Sequence, residues 1–225
     1  MDKPMLQIAL DLTDLGRALE LISSIVYRLG GRNIIVEAGT PLVKKYGVLA
    51  VELLKKTSGG LPLYADTKTV DAGAIEAEVM CSVGADIVSV LGLADDSTIE
   101  DVVSVTHRLG SRTALDLINH PQPLERALGS LGLGVDIVLY HVGVDVQKRL
   151  GLTIHDMIDN VRELVERVKS VRGDVLVAVA GGLKPGLIGD FVDAGVDIVV
   201  VGGAITRSEK PVDVVREILV EMGVY

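Results

Sequence analysis

Several residue types are scarce in this 225-residue sequence. It has no tryptophan, one phenylalanine and one cysteine, and aromatic residues make up only 3% of it. Because 48% of the residues are nevertheless hydrophobic, the core must be built from Val, Ile, Leu and Ala, the composition of strands that are buried on both faces. The single cysteine, Cys81, excludes an intramolecular disulfide and is typical of a reducing, cytoplasmic compartment.

Positive charge is also in short supply. The chain has 22 basic and 31 acidic residues, for a net charge of −9, and this argues against a broad surface for nucleic acid or anionic membrane. No run reaches the roughly 18 apolar residues of a membrane span, and the first apolar stretch is short and ends in acid, unlike a secretory signal. We therefore expect a cytoplasmic protein with no nucleic-acid or membrane partner, although backbone N–H groups could still bind a small anion.

Short aliphatic runs recur along the whole chain and predict eight strands. They cover residues 5–10, 33–38, 61–66, 85–92, 112–118, 135–141, 174–180 and 196–202. Amphipathic segments at helical spacing lie between them, the clearest at 15–30, 40–56, 97–110, 153–171 and 210–223.

Strict alternation of strand and helix predicts a parallel sheet. Eight units of about 28 residues each have the size of βα repeats. We therefore predict one domain over residues 1–225, a single-domain (β/α)₈ TIM barrel. The alternative, an open doubly wound sheet for a dinucleotide, would carry G-x-G-x-x-G after the first strand, where this chain has DLTDLG.

Chemistry-bearing residues collect where the predicted strands end, the face of a barrel at which active sites lie. Five of the eight strands end in ionisable groups, and the last two end in glycine pairs. In chain order these residues are Asp11, Glu37, Asp66, Lys68, Asp71, Asp116, His141, Gly181 with Gly182, and Gly202 with Gly203.

Simpler structural roles are open to the members of this set taken singly. Asp11 fits a turn, Asp71 fits the N-cap of the following helix, and His141 fits a buried core histidine. Asp66 and Lys68 are two residues apart, so an extended backbone would point both to one side as a local ion pair. The roles of Asp116, and of His120 in the loop after it, stay open.

The set is more informative when taken together. Glycine pairs after strands seven and eight match the usual phosphate site of barrels, so they predict a phosphorylated ligand. Glu37 directly follows a buried run, where an unpaired carboxylate is costly. Glu37 and Asp66 are hard oxygen ligands suited to Mg²⁺, and the cation together with Lys68 would stabilise an oxyanion or enediolate.

The stretch ADTKTVDAG, residues 65–73, resembles the D-x-K-x-x-D signature of the orotidine-5′-monophosphate decarboxylase superfamily. Within that superfamily, further stretches along essentially the whole chain are similar to the 3-hexulose-6-phosphate synthase family. These are LQIALD (6–11), EAGTPL (37–42), VLGLADDSTI (90–99), HVGVDVQ (141–147), VAGG (179–182) and VVGGAIT (200–206).

The resemblance implies a Mg²⁺-dependent, reversible aldol reaction of formaldehyde with D-ribulose 5-phosphate, giving D-arabino-hex-3-ulose 6-phosphate. It implies that Glu37 and Asp66 hold Mg²⁺, with Mn²⁺ as a possible substitute, and that His141 moves the C1 proton. Lys68 would stabilise the enediolate or protonate the new hydroxyl. Asp11 and Asp71 would position hydroxyls and keep Lys68 charged.

The resemblance also implies that Gly181, Gly182, Gly202 and Gly203 bind the phosphate. It implies a homodimer with shared active sites, in which Asp71 reaches into the partner's site. The direction in which the reaction runs stays open.

Two departures bear on the choice within the superfamily. Related decarboxylases carry Arg in the loop after strand eight and, for the keto-gulonate enzymes, shortly after the strand-six His. This chain has Gly203 at the first place and Val144 in the second region. Both departures favour the synthase over the alternatives, a 3-keto-L-gulonate-6-phosphate decarboxylase or a non-catalytic sugar-phosphate-binding protein. In the other direction, Ala74 follows DAG where the synthases often have Glu.

Overall fold

The computed structural model describes residues 4–225. Eight parallel strands follow one another in chain order around a closed barrel. Their bounds are β1 Met5–Leu10, β2 Ile34–Ala38, β3 Leu63–Thr69, β4 Ile87–Leu91, β5 Arg112–Asp116, β6 Ile137–His141, β7 Leu176–Ala180 and β8 Ile198–Val201. The prediction of a (β/α)₈ barrel is therefore confirmed, and the doubly wound alternative is wrong.

Closure depends on pairing between the first and last strands. In β1, Met5 lies opposite Ile198 and Ile8 lies opposite Val201 of β8, while the other edge of β1 pairs with β2. Because every strand thereby has two neighbours, the barrel presents no open sheet edge.

The helices lie between consecutive strands and cover the outside of the barrel. They are α1 Leu15–Leu29, α2 Thr40–Tyr46, α3 Val48–Thr57, α4 Gly73–Ser82, α5 Asp96–Arg108, α6 Pro123–Ser130, α7 Val144–Leu150, α8 Ile158–Val171, α9 Gly189–Asp193, α10 Gly203–Thr206 and α11 Pro211–Glu221. Within the described residues, none of these helices has both the length and the apolar character needed to cross a bilayer.

The aliphatic side chains form two separate buried clusters, because side chains alternate between the two faces of each strand. The larger cluster fills the layer between barrel and helices. The smaller one fills the interior of the barrel, where Tyr64 of β3 is its largest member. A core of aliphatic residues agrees with the composition.

One predicted helix is interrupted. Residues 40–56 form two helices, because Gly47 has φ 58° and ψ −138° and no helix passes through that conformation. The segment predicted as a helix over 153–171 begins as a 3₁₀ turn, Ile154–Met157, before α8.

The third strand does not end at Asp66 as expected. β3 continues to Thr69, and its register against β4 shifts between Ala65 and Thr69. Lys68 lies inside this irregularity with φ 49°, and its backbone N–H donates to Ser89 Oγ at 3.1 Å. A bulge of this kind changes the direction of a side chain, and here it directs Lys68 to the network described next.

Candidate active site

A buried carboxylate at the end of β5 joins the two groups best suited to proton transfer and charge stabilisation. Asp116 is only 1% exposed, and it accepts hydrogen bonds from Lys68 Nζ at 3.0 Å and from His141 Nδ1 at 3.1 Å. The backbone N–H of Ile118 donates to its Oδ1 at 3.0 Å. Three strand ends, those of β3, β5 and β6, therefore meet at one side chain.

The charges in this network support one another. Burial tends to raise the pKa of Asp116, but the positive charge and hydrogen bonds of His141 and Lys68 outweigh it and lower the pKa to about 2. Burial likewise tends to lower the pKa of Lys68, but the negative charges of Asp116 and Asp66 raise it above its ordinary value. At neutral pH the site therefore holds an ionised carboxylate and a charged ammonium.

Asp66 is the second carboxylate on Lys68. The distances from Lys68 Nζ to its two oxygens are 3.0 and 2.9 Å, so the predicted local ion pair is present. Ser89 Oγ and Thr40 Oγ1 also donate to Asp66. A buried carboxylate with this many donors is held in a fixed orientation.

Glu37 lies beside this pair at the end of β2. It is 6% exposed, and Gln7 Nε2 of β1 donates to its Oε2 at 2.6 Å. Burial, and then the negative charges of Asp66 and Asp11, raise the pKa of Glu37 well above its ordinary value. A cation placed beside Glu37 would therefore favour the ionised form of this carboxyl.

Asp11 follows β1 and completes the acidic group. A Cβ on Gly39 would come within 2.5 Å of Asp11 Oδ1, and one on Gly202 within 3.5 Å of Oδ2. The carboxylate therefore sits between the loops after β2 and β8, and only a residue without a side chain fits at Gly39. Desolvation and the nearby charge of Asp66 raise the pKa of Asp11.

The donor set fits a divalent cation of the magnesium type. Glu37 and Asp66 offer hard oxygen atoms, and the negative charge of Asp66 is near enough to contribute to the raised pKa of Glu37. Within residues 4–225 no three His, Cys, Asp or Glu side chains converge as ligands, and Glu37 and Asp66 are the two carboxylates expected to hold the cation. Mg²⁺ is commonly bound by one or two carboxylates, with water and substrate oxygens completing its shell.

The glycine pair after β7 adopts a backbone that other residues avoid. Gly181 and Gly182 have φ of 132° and 78°. A Cβ on Gly181 would lie 2.7 Å from the carbonyl oxygen of Val142, and one on Gly182 would lie 2.9 Å from Gln147 Oε1. The loop is thus packed against the connection that follows β6, with no room for side chains.

The glycine pair after β8 lies against Arg207, a cationic residue that the sequence analysis did not identify. The guanidinium of Arg207 is packed on Gly203, so that a Cβ there would lie 2.6 Å from Arg207 Cζ. Arg17 of α1 lies at the same corner, where its Nη2 donates to the carbonyl oxygen of Thr206 at 3.3 Å. Two guanidinium groups thus lie near the predicted phosphate loop of an otherwise acidic site.

Asp71 stands apart from the network. Its side chain is exposed and makes no hydrogen bond to the residues above within the described part of the chain. It is not the helix cap either, because the N-cap residue of α4 is Ala72, with φ 54°. Within a single chain, Lys68 pairs with Asp66 and Asp116. The residues that we expected to keep Lys68 charged were Asp11 and Asp71.

Asp116 is the main participant whose role the sequence did not reveal. The sequence shows that the fifth strand ends in Asp116. The contacts of this side chain with residues of β3 and β6 depend on the register of three strands, which the sequence does not show. Gln7 was missed for the same reason, since it reads as one polar residue inside an apolar strand. His120, whose role was open, lies in the loop after β5, and its Nδ1 accepts a hydrogen bond from the backbone of Gln122 at 3.2 Å.

Acids and a lysine thus lie on one side of the barrel mouth, and the glycine loops lie on the other. The model of the orotidine 5′-phosphate decarboxylase / HUMPS family matches residues 4–218. The chain belongs to this family.

Individual relatives within the family are similar over nearly the whole chain. A 3-hexulose-6-phosphate synthase 2 from Staphylococcus saprophyticus is 34% identical over 212 residues, which are 94% of each chain. The crystal structure of a 3-hexulose-6-phosphate synthase superposes with a TM-score of 0.86 at 33% identity, over 96% of this chain and 99% of the other.

Longer proteins are equally similar. The bifunctional enzyme Fae/Hps of Methanothrix thermoacetophila is 34% identical over 221 residues, which are 98% of this chain and 53% of the relative. The chain thus spans about half the length of such bifunctional relatives.

Proposed function

We propose that this protein is a 3-hexulose-6-phosphate synthase, which joins formaldehyde to D-ribulose 5-phosphate in a reversible aldol reaction. The observation that carries the proposal is the buried Asp116, which binds Lys68 and His141 together beside the carboxylates Glu37 and Asp66. This arrangement places an acid/base group and charge-stabilising groups around one point. The two relatives described above that carry this name support the assignment.

His141 is the group proposed to move the C1 proton of the sugar phosphate. Its Nδ1–H donates to Asp116, which fixes the ring orientation and leaves Nε2 for the substrate. Because Asp116 stays ionised at neutral pH, it would stabilise the imidazolium that forms when the ring accepts a proton.

Lys68 is the group proposed to stabilise the enediolate that remains. Its ammonium is held charged by Asp66 and Asp116, so it presents a fixed positive charge to a developing oxyanion. Glu37 and Asp66 would hold Mg²⁺, or Mn²⁺ in its place. When bound, this cation would supply further stabilisation of negative charge on the substrate oxygens. Asp11, at the edge of the group, would accept hydrogen bonds from substrate hydroxyls.

The phosphate is proposed to bind at the loops after β7 and β8. Backbone N–H groups of the two glycine pairs can approach an anion closely, and Arg207 brings a guanidinium to Gly203. Such a fork of donors suits phosphate oxygens. Anchoring the phosphate here would direct the carbon chain across the barrel mouth to His141.

The proposed assembly is a homodimer in which Asp71 completes the partner's site. Exposed apolar side chains lie near Asp71 in the sequence, since Val70 is 54% exposed, Ile75 70% and Val79 41%. Ile75 and Val79 share one face of α4, and an exposed apolar patch of this kind is typical of a protein–protein interface. The free Cys81 and the acidic composition are in keeping with a cytoplasmic location.

The function is tested by incubating the protein with ribulose 5-phosphate and formaldehyde, once with Mg²⁺ and once with EDTA. The product of each reaction is identified by mass spectrometry. We expect the product to carry one added carbon and to disappear in EDTA. In a parallel reaction, 3-keto-L-gulonate 6-phosphate is supplied and CO₂ is measured. Release of CO₂ without any aldol product would replace the synthase by the decarboxylase, and activity retained in EDTA would remove the metal from the proposal.

Shared sites are tested by mixing two inactive variants, Lys68→Met and Asp71→Asn. Random exchange of subunits would give one intact site in each mixed dimer, and hence about a quarter of wild-type activity. Two samples that remain inactive after exchange would exclude the contribution of Asp71 across the interface.

A further inference from the structure

Tyr64 lies beneath the proposed metal site, inside the barrel, and has no part in the mechanism given above. Tyr64 and Asp66 are two residues apart on β3, so both side chains point into the barrel, with Tyr64 farther from the mouth. In the register of β2 and β3, Tyr64 lies opposite Glu37. It is 2% exposed and is therefore a buried neighbour of both proposed metal ligands.

The hydroxyl of Tyr64 has no hydrogen-bond partner in the protein. Within residues 4–225 it is the one buried side-chain nitrogen or oxygen atom of which this is true. Ser89 of the adjacent strand comes near it, but not in hydrogen-bonding geometry. Burying a hydroxyl without a partner is costly, because the group loses its hydrogen bonds to water and gains none. Such a group commonly marks a place where water or an ion completes the hydrogen bonding.

The carboxylates nearest to this hydroxyl are already occupied by other donors. Burial, and then the negative charges of Asp66, Asp116 and Glu37, raise the pKa of Tyr64 well above its ordinary value. Every carboxylate oxygen of Asp66 and Asp116 accepts a hydrogen bond from another group, and Oε2 of Glu37 accepts one from Gln7. The hydroxyl therefore lies within range of these charges without bonding to any of them.

A water molecule can join the hydroxyl to the carboxylates. A polar contact that is too long for a direct hydrogen bond is commonly bridged by water. A buried water needs about two to four polar partners, which Tyr64, Glu37 and Asp66 can provide. Mg²⁺ keeps several of its water ligands when carboxylates bind it. A water in that position donates hydrogen bonds, and a phenolic oxygen can accept one.

We propose that the hydroxyl of Tyr64 accepts a hydrogen bond from a water ligand of the divalent cation that Glu37 and Asp66 hold. Tyr64 is then a positioning residue, because it acts on the metal only through this water. The inference rests on the metal site of the proposed function and adds to it a protein group on the barrel side. Removal of a group that orients the ligands of a metal typically weakens metal binding about 10–100-fold.

The test measures Mn²⁺ binding without substrate, from the electron paramagnetic resonance signal of the free ion. Tyr64→Phe removes only the hydroxyl and keeps the ring that fills the barrel interior. Tyr27→Phe is the matched control, because Tyr27 is 90% exposed on α1. Glu37→Gln, which should abolish binding, shows that the bound Mn²⁺ occupies this site. Thermal unfolding of each variant is followed in EDTA and in excess Mn²⁺.

We expect Tyr64→Phe to raise the Kd for Mn²⁺ about tenfold and Tyr27→Phe to leave it unchanged. In EDTA the thermal midpoint of Tyr64→Phe should equal or exceed that of the wild type, because the removed hydroxyl has no partner in the protein. Excess Mn²⁺ should raise the midpoint less in Tyr64→Phe than in the wild type at the same concentration. A merely structural role would lower the midpoint in EDTA and leave the Kd unchanged.

Three results would overturn the role of Tyr64. They are an unchanged Kd in folded Tyr64→Phe, an equal rise in Kd in Tyr27→Phe, and a Tyr64→Phe variant that is unfolded or has a lower midpoint in EDTA. A wild type that binds no Mn²⁺, or a Glu37→Gln variant that binds it normally, would remove the metal site and the role of Tyr64 with it. A wild type that binds Mn²⁺ at this site but forms no aldol product would remove only the proposed function.

Discussion

Replacing Asp116 by Asn tests whether this carboxylate holds the active site together. The change keeps the shape of the side chain but removes the negative charge shared by Lys68 and His141. The pKa of Asp116 falls from an ordinary 3.8 to about 2, and a shift of this size corresponds to about 2 kcal/mol of favourable interaction. Removing one partner from a buried ionic network commonly costs about 3–5 kcal/mol. We expect the variant to lose about 2–4 kcal/mol of unfolding free energy at pH 7.

The pH dependence has a definite sign. Because the pKa of Asp116 is lowered in the folded protein, its contribution is complete above the unfolded value near 4 and is lost as pH falls through about 2. The difference between wild type and variant should therefore be at least as large at pH 5 as at pH 7. At pH 3 it should be smaller by about 1 kcal/mol. The difference in unfolding free energy is measured by urea unfolding, followed by far-UV circular dichroism, at the three pH values.

A surface pair provides the control. His155 Nε2 and Asp190 Oδ2 are also 3.0 Å apart, but these side chains are 38% and 61% exposed. Asp190→Asn should cost less than about 1 kcal/mol, because solvent screens exposed pairs. If Asp116→Asn cost no more than Asp190→Asn, or if its cost did not change between pH 5 and pH 3, the role assigned to Asp116 would be refuted.

Three further variants test other parts of the site. Glu37→Gln should abolish metal-dependent turnover and, in EDTA, raise the thermal midpoint more at pH 8 than at pH 5. The reason is that a carboxyl whose folded pKa is raised destabilises the fold once pH exceeds its ordinary value; a lower midpoint at pH 8 would contradict this. Arg207→Met should raise KM for ribulose 5-phosphate about tenfold and leave kcat within about twofold of the wild type. In the control Arg216→Met, KM should not change, because the guanidinium of Arg216 pairs with Asp213 on α11. Lys68→Met should lower kcat by about 10²–10³-fold, and a change confined to KM would exclude charge stabilisation in the transition state.

Strand and helix identity followed from the sequence because the signals are local. Aliphatic runs and amphipathic spacing located all eight strands, and closure followed from their number. The helix break at Gly47 was missed because a glycine inside a periodic pattern does not reveal its own φ. Similarly, the bulge at Lys68 depends on the hydroxyl of Ser89 in the neighbouring strand, which a reading of single segments does not include.

For the site, the sequence predicted which strand ends contribute residues, but it did not predict the contacts between those residues. Glu37, Asp66, Lys68 and His141 are charged or polar groups at the ends of apolar runs, so they were visible one by one. The contact between Asp116 and two of them is set by registers across β3 to β6. Arg207 was not recognised because it lies four residues beyond the glycine that it covers, at a place reached only by the turn of α10.

The seam between β1 and β8 also determines when the site can exist. Asp11 follows the first strand and Gly202 follows the last, and these two residues are neighbours at the barrel mouth. During synthesis on the ribosome, almost two hundred further residues must therefore be added after Asp11 before this side chain can make its final contacts. Contacts so far apart in the chain form slowly. Until then, a growing chain exposes aliphatic strands that have no neighbour, which is the stage at which chaperones would matter most.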